Sequence, residues 1–416
     1  MFVATIAGAS FGGLATALQL QRRGVVPFSV LDASDGPPTA QVGAHAVGLW
    51  TNAWWVLDAL GVGERARECC RCRADVFRVG DMGSELADGR WVRRAFAAPA
   101  EHEFRRVRSG DVMQAMRDAL TGASIEYGGR IEDRLDEIGR RSGEPTLVVG
   151  ADGADSFVRR QLLRRDATPR YAGYVAHRGI ARIPWRAPNM SDSPSTAALD
   201  APGCVTLLLG RGDGTRIGVQ RMDDERVFWF GCENVHQSQL DTLPSPLERM
   251  ASLTAAPSRL SSSMRAAVQQ LLQATPSEDA STARCRDLFP PVFQGICPAR
   301  NVLAALVGDA AHPCTPNLSQ GVGLALEDGY ALANLLSNAY AARRRSAADL
   351  AVVLRAYQRQ RARRVATVML RSRLVGAALQ MELPPPLVAL RNRLAIPLAL
   401  RPQSFVSHAR LPIPAQ

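Results

Sequence analysis

A glycine-rich turn and an acidic residue stand near the start of the chain at a spacing that suits a dinucleotide. Residues 8–13 read Gly-Ala-Ser-Phe-Gly-Gly and directly follow an apolar strand pattern, with Ser10 where the usual fingerprint has its middle glycine. Glycines such as Gly8 and Gly13 permit a tight turn that brings a helix N-terminus to a pyrophosphate. Asp32 ends the next apolar segment, where a carboxylate can bind a ribose hydroxyl. The pattern predicts adenine dinucleotide binding; the alternative is a tight turn that binds no nucleotide.

Two later segments carry further glycine and aspartate residues directly after strand patterns. Residues 150–159 read Gly-Ala-Asp-Gly-Ala-Asp-Ser-Phe-Val-Arg and include Asp152. Residues 308–313 read Gly-Asp-Ala-Ala-His-Pro and include Asp309, and residues 316–323 lead into a helical pattern. Such positions at strand ends are where parallel sheets bind their ligands.

The cysteines do not suggest a metal centre. Cys69, Cys70 and Cys72 lie close together, but no second Cys or His pair stands at zinc-finger spacing. We therefore predict ordinary, partly buried thiols and no metal.

The elements that must position these residues follow from hydrophobic periodicity. Alternating and continuous apolar runs predict strands at residues 2–6, 28–31, 146–149 and 302–307. Helical spacing is found at residues 14–23, 108–120 and 347–370. Short runs of β-branched and aromatic residues at 171–231 predict an antiparallel sheet.

The motifs, in this order, resemble those of the FAD-dependent aromatic-ring monooxygenases, the para-hydroxybenzoate hydroxylase-like group. The resemblance extends from residue 3 to about residue 364. Residues 171–179 and 315–321 are similar to the branch that includes urate hydroxylase, zeaxanthin epoxidase and salicylate hydroxylase.

The resemblance implies an α/β fold in which a discontinuous Rossmann-like FAD-binding domain carries an inserted α+β substrate domain built on an antiparallel sheet, followed by C-terminal helices. The three parts of the FAD-binding domain are expected at residues 1–75, 101–168 and 285–345. The substrate domain is expected at 169–284 with an excursion at 76–100, and a C-terminal helical region at 346–416.

The implied activity is NAD(P)H-dependent monooxygenation through a flavin hydroperoxide. FAD is the implied cofactor and NADPH or NADH a transient co-substrate, since no second glycine-rich fingerprint is present. The substrate would be an aromatic, heteroaromatic or alkene small molecule, so hydroxylation and epoxidation both stay open. The alternatives are a flavin-dependent reductase or halogenase on the same fold, and a non-catalytic FAD-binding protein.

By resemblance, Gly308 and Asp309 would hold the ribityl chain of FAD. The loop containing Pro316, Gly321 and Val322 would lie along the flavin ring, where helix amides can stabilise negative charge. Arg108 would lie beside the pyrophosphate, or else form a surface salt bridge. Asp152 would lie near FAD and the nicotinamide path, or else only cap the following helix.

Three further candidates depend on side-chain direction. His45 replaces a glycine in a loop expected against the flavin, and we hypothesise that it contacts or even binds FAD covalently; the alternative is a solvent-facing histidine. Arg216 and Trp229 lie on predicted strands of the substrate sheet and are expected to face the cavity if strand alternation directs them there. No side chain can be identified as the catalytic base, and Cys314 is interpreted as a packing residue.

Composition excludes several classes of protein. The chain has 416 residues, 46% hydrophobic and 21% charged, with a net charge of +11 that comes from arginine. No nucleic-acid-binding motif accompanies the arginines, so most are expected on the surface and a few beside an anionic cofactor or substrate.

The same reasoning limits location and partners. A strand at residue 2 predicts a cytoplasmic protein without a cleavable signal. No apolar run is long enough to span a membrane, although the C-terminal tail could associate weakly with a membrane surface. We expect a small-molecule substrate, no nucleic acid, and a monomer or homodimer.

Overall fold

The chain forms two large sheets joined by helices. The computed structural model describes residues 2–37, 45–86, 92–134, 145–162, 167–185, 198–256, 259–297 and 302–399. The strands are β1 (Val3–Ala7), β2 (Phe28–Asp32), β3 (Ala46–Leu49), β4 (Val76–Asp81), β5 (Val92–Ala97), β6 (Arg105–Arg108), β7 (Ile125–Tyr127), β8 (Thr146–Gly150), β9 (Arg170–Arg182), β10 (Cys204–Leu209), β11 (Arg216–Arg221), β12 (Arg226–Asn234), β13 (Ala280–Asp287), β14 (Gln294–Cys297) and β15 (Val302–Leu306).

Helices cover both sheets and extend to the end of the described chain. They are α1 (Phe11–Arg23), α2 (Thr51–Ala59), α3 (Gly63–Glu68), α4 (Ser109–Asp118), α5 (Pro246–Ala255), α6 (Ser262–Gln273), α7 (Gly321–Ala341), α8 (Ala347–Gln380), α9 (Pro385–Leu390) and α10 (Ile396–Ala399).

The first sheet has six strands in the order β14-β15-β8-β1-β2-β7. All neighbours are parallel except β14, which pairs antiparallel with β15 at one edge. Every residue of β8 and β15 is buried, as parallel strands covered on both faces require. Helices α1 and α7 lie close together, since a Cβ at Gly329 would come within 2.5 Å of the Gly12 carbonyl oxygen. The α/β fold class predicted from the sequence is confirmed.

The second sheet has seven strands in the order β13-β9-β12-β11-β10-β4-β5. Its pairs are antiparallel, as expected for the strands within residues 171–231, and only β4, from earlier in the chain, runs parallel to its neighbour β10. The two strands are far apart in sequence, and no hairpin therefore dictates their relative direction. Strand β13 continues to Asp287, beyond the predicted boundary at 284; the domain boundaries stay a prediction.

The two faces of the seven-stranded sheet have different surroundings. Trp229 packs with Met250 and Leu253 of α5 and Met264 of α6 in a buried cluster on one face. Its indole nitrogen donates to the Thr275 hydroxyl at 2.9 Å. The opposite face, which includes Phe228 and Phe230, borders the space between the two sheets.

The long helix α8 connects the two sheets. It begins at a capping box, in which Ser346 and Asp349 exchange hydrogen bonds. Near its start the Tyr357 hydroxyl donates to the Leu306 carbonyl of β15 at 2.9 Å. At its end the Gln380 amide donates to the Asn234 side chain of β12 at 2.6 Å. The predicted C-terminal helical region thus contacts both sheets. The apolar run at residues 383–400, for which weak association with a membrane surface was expected, is described as far as residue 399, and residues 400–416 lie outside the described residues.

His102 is buried beside the rings of Trp50 and Phe77, with 1% of its surface exposed. Neither ring nitrogen has a hydrogen-bond partner among the described residues. Burial, aided by the charge of Arg73, lowers the pKa of His102 to about 4. The folded state therefore disfavours the protonated ring.

We expect this histidine to make stability depend on pH. Because the folded pKa lies below the unfolded value of about 6.5, its contribution is present above pH 6.5 and is lost as the pH falls toward 4, by about 1–2 kcal/mol at pH 5. The free energy of unfolding, measured with urea, should fall less between pH 7.5 and pH 5 in His102→Phe than in the unmodified protein. The exposed His236→Phe serves as the control. Identical pH dependence in His102→Phe and the unmodified protein would contradict the expectation.

Candidate active site

A cavity of about 930 Å³ lies between the two sheets. Ends of β1, β2, β8 and β15 contribute one side, and strands of the seven-stranded sheet contribute the other. The volume is at the upper end of the range for small-molecule and cofactor sites. Parallel sheets bind ligands at these carboxyl ends.

The glycine turn is a structural requirement of the first sheet. Gly8 has φ +110°, and a Cβ there would lie 2.3 Å from the Ala151 carbonyl oxygen. A Cβ at Gly13 would lie 1.9 Å from the carbonyl oxygen of Gly8. Gly8 and Ser10 line the cavity, whereas Gly13 supports the turn from behind. The N-terminus of α1 is thereby brought to the cavity, where its amides favour an anion.

Asp32 stands beside this turn at the end of β2. One carboxylate oxygen accepts a hydrogen bond from the Ala9 amide at 2.7 Å, and the other accepts one from the Ser34 amide at 2.9 Å. The carboxylate also lines the cavity. The glycine turn and Asp32 therefore lie side by side at one wall of the cavity, although Asp32 is 19 positions beyond Gly13 in the sequence.

Asp152 both caps a turn and faces the cavity. One oxygen accepts a hydrogen bond from the Val158 amide at 3.0 Å, which is the capping role considered from the sequence. Its other oxygen is buried and has no hydrogen-bond partner among the described residues. An oxygen of this kind favours a ligand that donates a hydrogen bond.

Asp309 follows β15 and points into the cavity. Gly308 has φ +59°, a left-handed conformation that favours glycine. The Asp309 side chain is open to the cavity but is otherwise surrounded by protein, and this burial raises its pKa in spite of nearby His312 and Arg286. Donors from a bound ligand would relieve that cost.

The loop before α7 completes this half of the cavity. Pro316, Gly321 and Val322 line it, and α7 begins at Gly321, so the positive end of the helix dipole faces the cavity. Ser319 in the same loop has φ +48°. Cys314 also lines the cavity, and burial raises the pKa of its thiol, which agrees with a packing role.

A buried ionic cluster lies beneath the Asp309 turn. Asp328 accepts hydrogen bonds from the Gly308 amide at 3.0 Å, from His312 at 2.5 Å and from Arg361 at 2.7 Å. The neighbouring Glu327 pairs with Arg361 and Arg364. No role was predicted from the sequence for His312, Arg361 or Arg364.

Arg159 is not one of the surface arginines, because its side chain is fully buried. Its guanidinium donates to the Ala310 carbonyl at 2.7 Å and the Ala167 carbonyl at 2.9 Å. The arginine instead holds together the two segments that carry Asp152 and Asp309.

His45 and Arg108 are not among the described residues that line the cavity, although Ala46, next to His45, is. A ring nitrogen of His45 lies 3.3 Å from the Ser281 hydroxyl of β13, and burial together with Arg178 lowers its pKa. Residues 43 and 44 of its loop lie outside the described residues. Arg108 ends β6 directly before α4. Arg130, for which no role was predicted from the sequence, does line the cavity.

The two substrate-side candidates differ. Arg216 lines the cavity; it donates to the Asn317 side-chain oxygen at 2.9 Å and lies over the Tyr174 ring at 5.2 Å. The sequence left open which face Trp229 occupies, and its indole packs on the face opposite the cavity. Alternation along β12 instead presents Phe228 and Phe230 to the cavity.

Three arginines that line the same side were not singled out from the sequence. They are Arg78, Arg106 and Arg178. Each lies on a strand, where alternation alone does not indicate which face a residue occupies until the register is known.

Among the described residues, no group of three or more His, Cys, Asp or Glu side chains is placed to hold a metal ion. Nor does any described helix combine the length and apolarity needed to cross a membrane. Burial raises the pKa of the Cys70 thiol to about 12, as expected for an unreactive buried cysteine.

The chain is similar in sequence to known oxygenases, some of them named as FAD-dependent. No family model matches the chain. It is 27% identical to the aurachin C monooxygenase/isomerase of Stigmatella aurantiaca over 80% of both chains. It is 26% identical to the FAD-dependent urate hydroxylase of Klebsiella pneumoniae, over 89% of this chain and 88% of that one. The structure of Klebsiella pneumoniae HpxO complexed with FAD and uric acid superimposes with a TM-score of 0.71 at 20% identity, covering 98% of this chain and 95% of that one.

Proposed function

We infer that this chain, whose homologues are FAD-dependent aromatic hydroxylases and monooxygenases, is itself an FAD-dependent monooxygenase. It uses NADPH or NADH and dioxygen, and inserts one oxygen atom into an aromatic, heteroaromatic or alkene small molecule. The observation that carries this proposal is the shared cavity, in which the glycine turn, Asp309 and the loop before α7 face the strands of the second sheet. The relatives described above give no support to a reductase, a halogenase or a non-catalytic protein.

The residues present fit FAD. The cradle at Gly8 and Gly13 has no room for side chains, and it brings the N-terminus of α1 to the place where a pyrophosphate would bind. Asp32 would bind the ribose, and Asp309 the ribityl hydroxyls. Pro316, Gly321 and Val322 would border the flavin ring. Arg108 and His45 are proposed to lie beside FAD by resemblance alone, since neither is among the described residues that line the cavity.

FAD, when bound, supplies the redox chemistry: it accepts a hydride from NAD(P)H and activates dioxygen. The protein excludes water with an apolar wall that includes Val79, Leu207, Phe228 and Phe230. The amides at the start of α7 stabilise negative charge that develops beside them.

Arg216 has two roles in this proposal. It lies on the substrate side, and it also holds Asn317 in the loop before α7. Asn317 in turn accepts from the Tyr174 hydroxyl at 3.2 Å and donates to the Ser372 carbonyl of α8 at 2.9 Å. Arg216 thus links substrate binding to the position of that loop.

The activity is tested with purified protein. It should contain about one FAD per chain, and phenols, purines and isoprenoids should be compared for stimulated NAD(P)H oxidation. Label from ¹⁸O₂ should enter the product of any substrate that stimulates oxidation. A colourless protein that fails to take up added FAD would exclude the proposal.

The placement of Asp309 is tested in the same preparation. Asp309→Ala would leave ribityl donors unpaired at a typical cost of about 1–3 kcal/mol. We therefore expect FAD affinity to fall by about tenfold to a hundredfold, measured by titration of apoprotein with FAD. The exposed Asp224→Ala is the matched control. Unchanged FAD affinity in Asp309→Ala would show that this carboxylate does not contact the cofactor.

A further inference from the structure

Arg106 is a buried cation in the wall of the cavity. It lies on β6, and only 8% of its surface is exposed. Its guanidinium lies 4.4 Å from the centre of the Phe228 ring and 5.4 Å from that of Phe104. The two rings hold it in place by cation–π contacts.

The hydrogen-bonding capacity of Arg106 is largely unused within the described part of the chain. Its Nε donates to the Gln220 side-chain oxygen at 3.3 Å. No described carboxylate forms an ion pair with it, and its two terminal nitrogens have no described hydrogen-bond partner. Because a guanidinium carries five N–H donors, most of its capacity is available to a ligand in the cavity.

A second arginine lies nearby on the same side. Arg178 of β9 lines the cavity and donates from Nε to the Ser281 hydroxyl at 3.1 Å. It too forms no ion pair with a described carboxylate. Burial, together with the like charge of Arg178, lowers the pKa of Arg106 to about 10. A buried charge without a counterion is costly, so an anion between these residues would stabilise both.

The two halves of the cavity differ in charge. The described carboxylates that line it all lie at or after the ends of strands of the six-stranded sheet: Asp32, Glu132, Asp152, Asp155 and Asp309. Arg130 and Arg160 line the same half. The side built from the second sheet and β6 carries arginines. Arg216 donates to Asn317 of the loop before α7, and Arg78 donates to the Leu199 carbonyl. Arg106 and Arg178 both line the cavity and lie close enough for their charges to interact, so one anion can pair with both.

We propose that Arg106, with Arg178 beside it, binds an anionic oxygen group of the substrate, which makes the substrate an aromatic or heteroaromatic acid. The proposal rests on the monooxygenase function proposed above, of which it specifies the substrate class. Planar guanidinium groups suit carboxylates, since two parallel hydrogen bonds can form.

The test compares an anion with its neutral isostere on the FAD-loaded protein. Benzoate and benzamide are titrated by calorimetry, with flavin absorbance as a second signal. We expect benzoate to bind at least tenfold more tightly than benzamide. Arg106→Met should weaken benzoate binding by about tenfold to a hundredfold and leave benzamide unchanged, and Arg106→Lys should restore part of the difference. Arg182→Met, on the same strand as Arg178 but exposed, is the control.

Several results would overturn the proposal. They are absent binding of benzoate, equal binding of benzoate and benzamide to the unmodified protein, and a preference for benzoate that survives in Arg106→Met. The comparison of benzoate with benzamide on the unmodified protein remains a test even if Arg106→Met does not fold. FAD content and ¹⁸O₂ incorporation are measured separately; selective benzoate binding without oxygen insertion would support this anion site while the proposed function failed.

Discussion

Replacing Gly13 with alanine is expected to abolish stable FAD binding and to destabilise the fold. The added Cβ would lie 1.9 Å from the Gly8 carbonyl oxygen and 3.2 Å from the Ala151 side chain. A backbone oxygen at the end of β1 cannot move aside without opening the turn between β1 and α1. Forced overpacking costs about 1–3 kcal/mol and occasionally more, and here it acts on backbone atoms that form the cofactor cradle.

Two measurements check this result. The FAD content per chain is read from absorbance and should be close to zero, since we expect FAD affinity to fall by at least about a hundredfold. The free energy of unfolding is obtained from urea titration. Gly36→Ala is the matched control, because a Cβ at Gly36 has no atom within 4 Å. Normal FAD content and stability in Gly13→Ala would mean that α1 and β1 do not approach as described.

Replacing Asp328 with alanine is expected to cost about 3–5 kcal/mol of stability, because it leaves the buried His312 without its carboxylate and leaves the buried Arg361 with Glu327 alone. The Gly308 amide would lose its acceptor too, so the Asp309 turn should loosen and FAD affinity should fall. Urea unfolding measures the first effect and FAD titration the second. Asp118→Ala removes an exposed partner of Arg65 and should cost at most about 1 kcal/mol. An equal loss in both variants would contradict a buried cluster.

The same carboxylate should influence acid stability. Burial alone would raise the pKa of Asp328, but His312 and Arg361 outweigh it and hold that pKa below its usual range. The folded state therefore binds fewer protons than the unfolded state near the ordinary aspartate value of about 3.9. This contribution is complete above that pH and is lost as the pH falls through the folded pKa. Below about pH 4, Asp328→Ala should consequently lose stability less steeply than the unmodified protein.

The half of the cavity proposed to bind FAD could be predicted from the sequence because its signals are local. A tight turn from strand to helix needs glycines at Gly8 and Gly13, and the strand that follows α1 carries Asp32 to the same edge of the sheet. Gly308, Asp309 and the loop before α7 follow the same rule at another strand end. Order along the chain therefore predicts which side chains meet.

The substrate half could not be located in this way. Trp229 and Phe230 are neighbours on one strand and are similar in type, yet the first packs against α5 and α6 while the second faces the cavity. Which face is open depends on the register of the sheet and on where the helices pack, and composition carries neither. Arg106 is a further case, since β6 belongs to a separate two-stranded sheet and meets Phe228 through tertiary packing.

By itself, then, the sequence determined the fold class, the cofactor-binding turns and their order, because these depend on contacts between residues close in sequence and on hydrophobic periodicity. The tertiary structure decided which arginines are buried, as Arg361 beneath the Asp309 turn and Arg106 in the cavity wall show. The composition does not distinguish them from the exposed Arg182. The physical reason is that burial and charge compensation depend on partners distant in sequence, and those partners are brought near only when the sheets and helices pack.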